Sequence, residues 1–170
     1  MPPVQPFENA VQTHGPTVLR VCRAVLGAGP DADDAWSETF LAALRAWPDL
    51  PPGTNVQAWL VRVARNKSID IVRATARHAI PADALPDAAR SHDPQATDVW
   101  QAVARLPQRQ REAVAYHYFG GLPHTETAEL TGSSPAAVRR AAADGIAALR
   151  RTLSTDDPTP SARTPAKASR

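Results

Sequence analysis

The sequence predicts an all-α protein of two small helical domains, and three observations carry that expectation. Alanine is abundant, aromatic residues make up only 5%, and β-branched residues occur in short runs, a composition that favours packed helices over sheet. Apolar residues recur at three- and four-residue spacing between breaks set by glycine and proline. Two of the later segments flank Thr131-Gly132-Ser133-Ser134, a short glycine-containing turn with helix-turn-helix spacing. The expected domains span 1–79 and 98–153, joined by a flexible linker over 80–97 and followed by a disordered tail over 154–170.

The first helix is expected from about Glu8 to Leu26, with Val11, Val18, Leu19, Cys22 and Leu26 on its apolar side. Gly27, Gly29 and Pro30 stop it, and Pro16 inside it should kink or split it. A second helix follows Pro30. Asp31, Asp33 and Asp34 suit its positive N-terminal end, and Trp36, Phe40, Leu44 and Trp47 form an apolar stripe. Pro48, Pro51, Pro52 and Gly53 then force a loop.

The third helix, about Val56 to Arg77, separates its residues by type. Leu60, Val63, Ala64 and Ile71 fall on one side, and Arg62, Arg65, Asn66, Arg73 and Arg77 on the other. Lys67 lies near the apolar side and must snorkel. A plain solvated face mixes both signs of charge, whereas this one has only Asp70 as a counterweight.

From Ile80 to Thr97 the chain changes to Pro81, Pro86, Pro94 and scattered aspartates without periodicity, the mark of a linker. Beyond it come a short helix near Asp98 to Arg105 and another from Pro107 to about Phe119, ended by Gly120 and Gly121. Helices at about His124 to Leu130 and Pro135 to Leu153 complete the second half.

Ser133 or Ser134 caps the last helix, with Pro135 at its first position. Val138, Ala142, Gly145, Leu149 and Leu153 share an inward face. Arg139, Arg140, Ala143, Asp144, Ala147, Arg150 and Arg151 face away, where a recognition helix meets the major groove. An ordinary helical hairpin with a solvated basic face has the same spacing. Asp144 would repel phosphate or accept a hydrogen bond from a cytosine amino group, and both roles stay open.

Several classes of function find no support in the sequence. The five histidines show no metal-ligand spacing with each other or with Cys22, and there is no glycine-rich phosphate loop, so no enzyme, metal or cofactor is expected. No apolar stretch reaches the roughly 18 residues of a membrane span, and the N-terminus lacks the order of a signal peptide. A cytoplasmic protein is expected. The formal net charge of +2 is too small to identify a nucleic-acid ligand by itself.

Three segments carry a family resemblance. DDAWSETFLAALRAW (Asp33 to Trp47) resembles the core-binding segment of sigma region 2. VQAWLVRVARNKSIDIVRATAR (Val56 to Arg77) resembles the segment that melts and reads the −10 element. LPQRQREAVAYHYFGGLPHTETAELTGSSPAAVRRAAADGIAALR (Leu106 to Arg150) is similar to sigma region 4, which reads the −35 element. The family is the extracytoplasmic-function RNA polymerase sigma factors of the sigma-70 type, and the likeness covers about Thr13 to Arg77 and Asp98 to Leu153.

The resemblance implies partners in core RNA polymerase and promoter DNA. It places core binding on Asp34, Glu38, Leu41 and Arg45, with Ser37 where the family usually has glutamine. It places −10 binding on Asn55, Trp59, Arg62, Arg65, Asn66, Arg73 and Arg77. Asn66 matches the base of a pocket for a flipped base, walled in part by the loop Leu50 to Val56. Trp59 has stacking as one role and core packing as the stronger one. The −35 contacts fall on Ser134, Arg139, Arg140, Ala143 and Asp144, the last two smaller or more acidic than is usual. A monomer when free, open to an anti-sigma partner, completes the expectation. The rival is a sigma-like decoy or adaptor that binds a regulatory protein without promoter recognition, motivated by Asp144. A simple helix-turn-helix repressor leaves the first half unexplained.

Overall fold

The structure, a computed structural model, describes residues 5–78 and 94–155, and every regular element among them is helical. Helix α1 spans Phe7–Leu26, α2 Pro30–Ala46 and α3 Val56–His78, with a single 3₁₀ turn at Trp47–Asp49. In the second half α4 spans Pro94–Ala104 and α5 Gln108–Ala113. The latter runs on as a π-helical segment, Val114–Phe119. Helices α6, His124–Thr131, and α7, Pro135–Thr155, follow. The expected linker lies outside the described residues over 80–93, and its last four residues form the first turn of α4. Of the expected tail, Ser154 and Thr155 instead end α7, and 156–170 lie outside the described residues.

Helix α1 is continuous across Pro16, so the chain is not split there. Pro16 cannot donate to the carbonyl of Gln12, but both residues are exposed, so water can satisfy that carbonyl. Gly15 beside it is buried, and its own carbonyl accepts the Trp36 indole N–H at 3.0 Å. The helix ends where Gly27 adopts φ 84° and returns its N–H to Arg23 at 2.8 Å.

Helix α2 corrects the expected stripe. Its buried residues are Ala32, Ala35, Thr39, Phe40 and Ala43, while Leu44 is 51% exposed. Three alanines let α2 approach α1 and α3 closely, which turns Leu44 toward solvent. Trp36 and Trp47 instead form a rim: Trp47 donates to the Gln5 carbonyl at 3.2 Å, and its ring meets Phe7 at 5.3 Å and Trp59 at 6.3 Å.

The first core joins Val18, Cys22, Ala32, Ala35, Phe40, Ala43, Leu60 and Ala64 from α1, α2 and α3. Burial pushes the Cys22 thiol up to about 12, so it stays protonated and apolar in character. A second core combines Val21, Ala24, Ala58 and Val61 of the first half with Ala102, Val103, Leu106, Val114, Ala115, Tyr116, Leu122 and Leu149 of the second. A third, Ala113, Ala128, Val138 and Ala142, holds the helix-turn-helix to α5.

Helix α3 therefore buries two faces, with Leu60 and Ala64 in the first core and Ala58 and Val61 in the second. Only one of those faces was expected. Beyond Ser68 no residue of α3 is fully buried.

The π turn sits at the meeting of the halves. Gly120 donates to the Ala115 carbonyl at 2.9 Å, a five-residue return. A Cβ at Gly120 would lie 2.7 Å from the Tyr116 carbonyl oxygen and 3.2 Å from Val61, so only glycine lets α3 pass this close. Gly145 has a similar reason: a Cβ there would lie 2.8 Å from a Val114 methyl. The mid-helix glycine is a packing device, its propensity cost of about 1 kcal/mol accepted for close approach of α7 to α5.

Candidate nucleic-acid and polymerase interfaces

On α2 the ridge Asp34, Glu38, Leu41 and Arg45 is exposed along its length. Leu41 is 47% exposed and Leu44 stands beside it, so two bare leucines lie among carboxylates and an arginine. Isolated exposed leucines need no explanation, but an apolar pair rimmed by charge on one helix face is the composition of a protein-binding patch.

Helix α3 starts on Asn55, whose Oδ1 accepts the Ala58 N–H at 3.1 Å. That carbonyl oxygen is occupied as a cap, leaving the side-chain amide N–H groups for other partners. Trp59 is half-buried against the first core and beside Trp47, a packing position. Asn66, Arg73 and Arg77 are exposed, and Arg65 is half-buried. Arg62 reaches across to the other half, where its guanidinium lies 3.4 Å from Glu126 and 3.8 Å from Glu129 of α6. The seven residues assigned to −10 binding share this helix and its cap but do not converge on one point. Arg62 and Arg77 are about 22 Å apart along the axis at 1.5 Å per residue.

In the helix-turn-helix, Gly132 takes the left-handed conformation, φ 65°, and Ser133 donates to the Ala128 carbonyl at 2.9 Å. Ser134 Oγ accepts the Ala137 N–H at 3.2 Å, which caps α7, and Pro135 is the first helical residue. The inward face is as expected: Val138, Ala142, Gly145 and Leu149 are buried and Leu153 is half-buried. Arg139, Arg140, Ala143, Asp144, Ala147, Arg150 and Arg151 are all exposed.

A groove of about 1190 Å³ separates the start of α7 from α5, lined by Arg140 and Asp144 on one wall and Gln108, Arg109 and Gln110 on the other. The α5 residues were not expected near this face. Their only sequence signal is a polar run, QRQR, between two apolar segments. Gln57, Glu126 and Glu129 were likewise missed as groups joining the halves.

His117 and His124 stack with ring centroids 3.9 Å apart, and a His117 ring nitrogen lies 2.6 Å from the Leu122 carbonyl oxygen. Desolvation, with His117 and Arg139 nearby, lowers the His124 pKa from its ordinary value. Among the described residues no group of three or more His, Cys, Asp or Glu side chains is arranged to hold a metal ion. No described helix is long and apolar enough to cross a membrane.

A three-helix unit with a basic third helix, followed by a helix-turn-helix with an exposed basic face, defines a transcription-factor architecture of the sigma type. The comparisons agree. Residues 10–78 match the family model of sigma-70 region 2, and residues 96–149 match that of sigma-70 region 4. The chain is 32% identical to RNA polymerase sigma factor CarQ of Myxococcus xanthus over 86% of its own length and 88% of the relative's. It is 32% identical to the ECF sigma factor ShbA of Streptomyces griseus, covering 79% and 81% of the two chains. It is 34% identical to the ECF sigma factor SigD of Mycobacterium tuberculosis, covering 78% and 70%.

Among solved structures, CnrH in complex with the cytosolic domain of CnrY matches at TM-score 0.63 and 27% identity, over 88% of each chain. The sigma factor RpoE of Bartonella quintana, solved with the anti-sigma factor NepR, shares the fold at TM-score 0.71 and 19% identity, over 90% of this chain and 99% of RpoE. The chain belongs to the ECF RNA polymerase sigma factors of the sigma-70 family, and it is a promoter-recognising sigma factor.

Proposed function

We propose that the work of this sigma factor is divided among three helices. The α2 ridge Asp34, Glu38, Leu41 and Arg45 docks on core RNA polymerase. Helix α3, with Asn66 and the Asn55 cap at its start, holds the −10 strand. The outward face of α7, with Arg139 and Arg140, reads the −35 element, and Ser134 positions that helix from its cap.

The observation that carries this reading is the bare α2 ridge, which sets two exposed leucines among charges on the unit that also bears the basic α3. Melting costs roughly 1–2 kcal/mol per base-pair step. A released strand must therefore be caught by cations and by an amide that can pair with a base edge, which Arg62, Arg65, Arg73, Arg77 and Asn66 supply. The protein acts by binding rather than by catalysis, in the compartment of the polymerase, the cytoplasm. Residues 1–79 and 98–153 act as its two functional domains. CnrH was solved with a protein partner, and the α2 ridge is a surface that a regulatory partner of this chain would cover to keep it from polymerase.

Reversing both carboxylates, Asp34→Arg with Glu38→Arg, is expected to abolish co-elution with bacterial core polymerase while helicity is unchanged. Retained co-elution would move the docking surface elsewhere. Asp144, a carboxylate on the outward face of α7, favours a second reading, a decoy that binds a regulator and no promoter. Protection of a −35 element by the polymerase complex would dismiss it.

A further inference from the structure

We propose that Asp144 reads a base: it accepts a hydrogen bond from a cytosine amino group in the −35 element, one helical turn beyond the contact made by Arg140. This rests on the division of work proposed above and names a base that the outward face of α7 selects.

That face has few groups able to read anything. Val138, Ala142, Gly145 and Leu149 bury one side of α7. At 100° per residue, Arg140 and Asp144 lie on the opposite side. Their neighbours there are Ala136, Ala137, Ala143 and Ala147, all exposed. Methyl side chains let the helix backbone sink toward the floor of a major groove, where a side chain as short as aspartate reaches base edges. Arg139 stands about a quarter turn to the side, near His124, a position suited to backbone phosphate.

Nothing within the protein accounts for Asp144. It is exposed, and among the described residues no ion pair or side-chain hydrogen bond engages it, not even with Arg140 one turn earlier. Aspartate is also a poor residue for a helix interior. Its place is nonetheless firmly held. The next residue, Gly145, lies so close to α5 that a Cβ there would meet a Val114 methyl at 2.8 Å. A side chain carried on a packed helix is held at a fixed height above the groove floor.

The chemistry chooses cytosine. A carboxylate only accepts, and cytosine shows the major groove its N4 amino group with no acceptor of its own beside it. Guanine shows O6 and N7 and thymine O4, all of which repel a carboxylate, and adenine sets N7 next to its amino group. From Arg140 to Asp144 the helix advances about 6 Å, close to two base-pair steps of about 3.4 Å. Arg140 is matched to guanine O6 and N7 at the nearer pair. Asp144 weakens phosphate attraction on every sequence and restores binding only where the amino group is present, which makes it a device for rejecting wrong sites.

The test selects −35 sequences from duplexes randomised over that element, using polymerase holoenzyme assembled with the full chain. The parent should enrich cytosine about two pairs from a guanine whose enrichment disappears with Arg140→Ala. Asp144→Asn should move the preference at the cytosine position to adenine, because an amide pairs with N6 and N7 together. Asp144→Ala should lose at least about fivefold discrimination there, the lower end of what one base contact is worth, and keep the guanine preference. It should also bind unrelated duplex more tightly, since one phosphate-repelling charge is gone.

A parent that enriches no cytosine at that position overturns the proposal, and so does a cytosine preference that survives unchanged in Asp144→Asn and Asp144→Ala. Failure of the sigma reading takes a different form, a holoenzyme that leaves no footprint and enriches no −35 sequence at all, and it removes the proposal with it.

Discussion

Helices α3 and α7 are both long, basic and rich in alanine, yet they meet the rest of the molecule in different ways. Helix α7 buries one stripe, Val138, Ala142, Gly145 and Leu149, and leaves Arg139, Arg140, Ala143 and Asp144 to solvent. Helix α3 buries one stripe in its own three-helix core and a second against the other half, so Arg62 between them is drawn into ion pairs. The difference teaches that a basic face is a free face only when one side of its helix is packed. Two helices of similar composition therefore differ in what surrounds their arginines: those on the outward face of α7 are exposed, and Arg62 near the start of α3 is engaged by the other half.

The largest expected effect tests the packing side of that comparison. Leu60→Ala removes a fully buried side chain from the first core and is expected to cost about 2–5 kcal/mol in thermal or denaturant unfolding. Gly145→Ala on α7 should cost less, about 1 kcal/mol net, because crowding against Val114 of about 1–3 kcal/mol is offset by about 1 kcal/mol of helix propensity. A stabilised Gly145→Ala chain would show that α5 and α7 are not tightly apposed.

A functional contrast comes next in size. Arg139→Ala with Arg140→Ala should weaken −35 duplex binding by about 1–3 kcal/mol for each base edge no longer read, or lower the salt slope by about one unit for each phosphate no longer neutralised. The effect should appear in the free chain as well as with polymerase, since that face is uncovered. Asn66→Ala should leave polymerase binding intact and slow open-complex formation about tenfold, a loss of about 1.4 kcal/mol. Equal promoter melting by that variant would remove Asn66 from the −10 pocket.

The smallest effect is a pH dependence at the start of α6. The His124 pKa is lowered in the folded chain, so the unfolded chain binds more protons below its ordinary value of 6.5. Stability at this site is full above that pH and is lost as pH falls through 6.5 toward the lower folded value. Denaturant midpoints at pH 7.5 and 5.5 should therefore differ less for His124→Gln than for the parent. An unchanged pH difference would assign it to other groups.

The sequence by itself determined the all-helical class, the positions of most helix ends and the helix-turn-helix, because those are local matters. Proline at the first turn of α2 and α7, Ser134 as a cap and Gly132 in a left-handed turn act within a few residues of themselves. The exposed α2 ridge and the outward face of α7 were legible for the same reason, since each helix has one dominant apolar side. Other features depended on residues distant in sequence. Pro16 left α1 unbroken because it and Gln12 face water, and Leu44 turned outward because three alanines drew α2 against its neighbours. The π turn at Val114–Phe119, the second buried face of α3 and the Arg62 ion pairs arise where the two halves meet. Periodicity shows that a helix has an apolar side. Only tertiary structure decides how many sides are covered, because that depends on which distant surfaces find each other, as Gln57 finds Gly120 across 63 residues of chain.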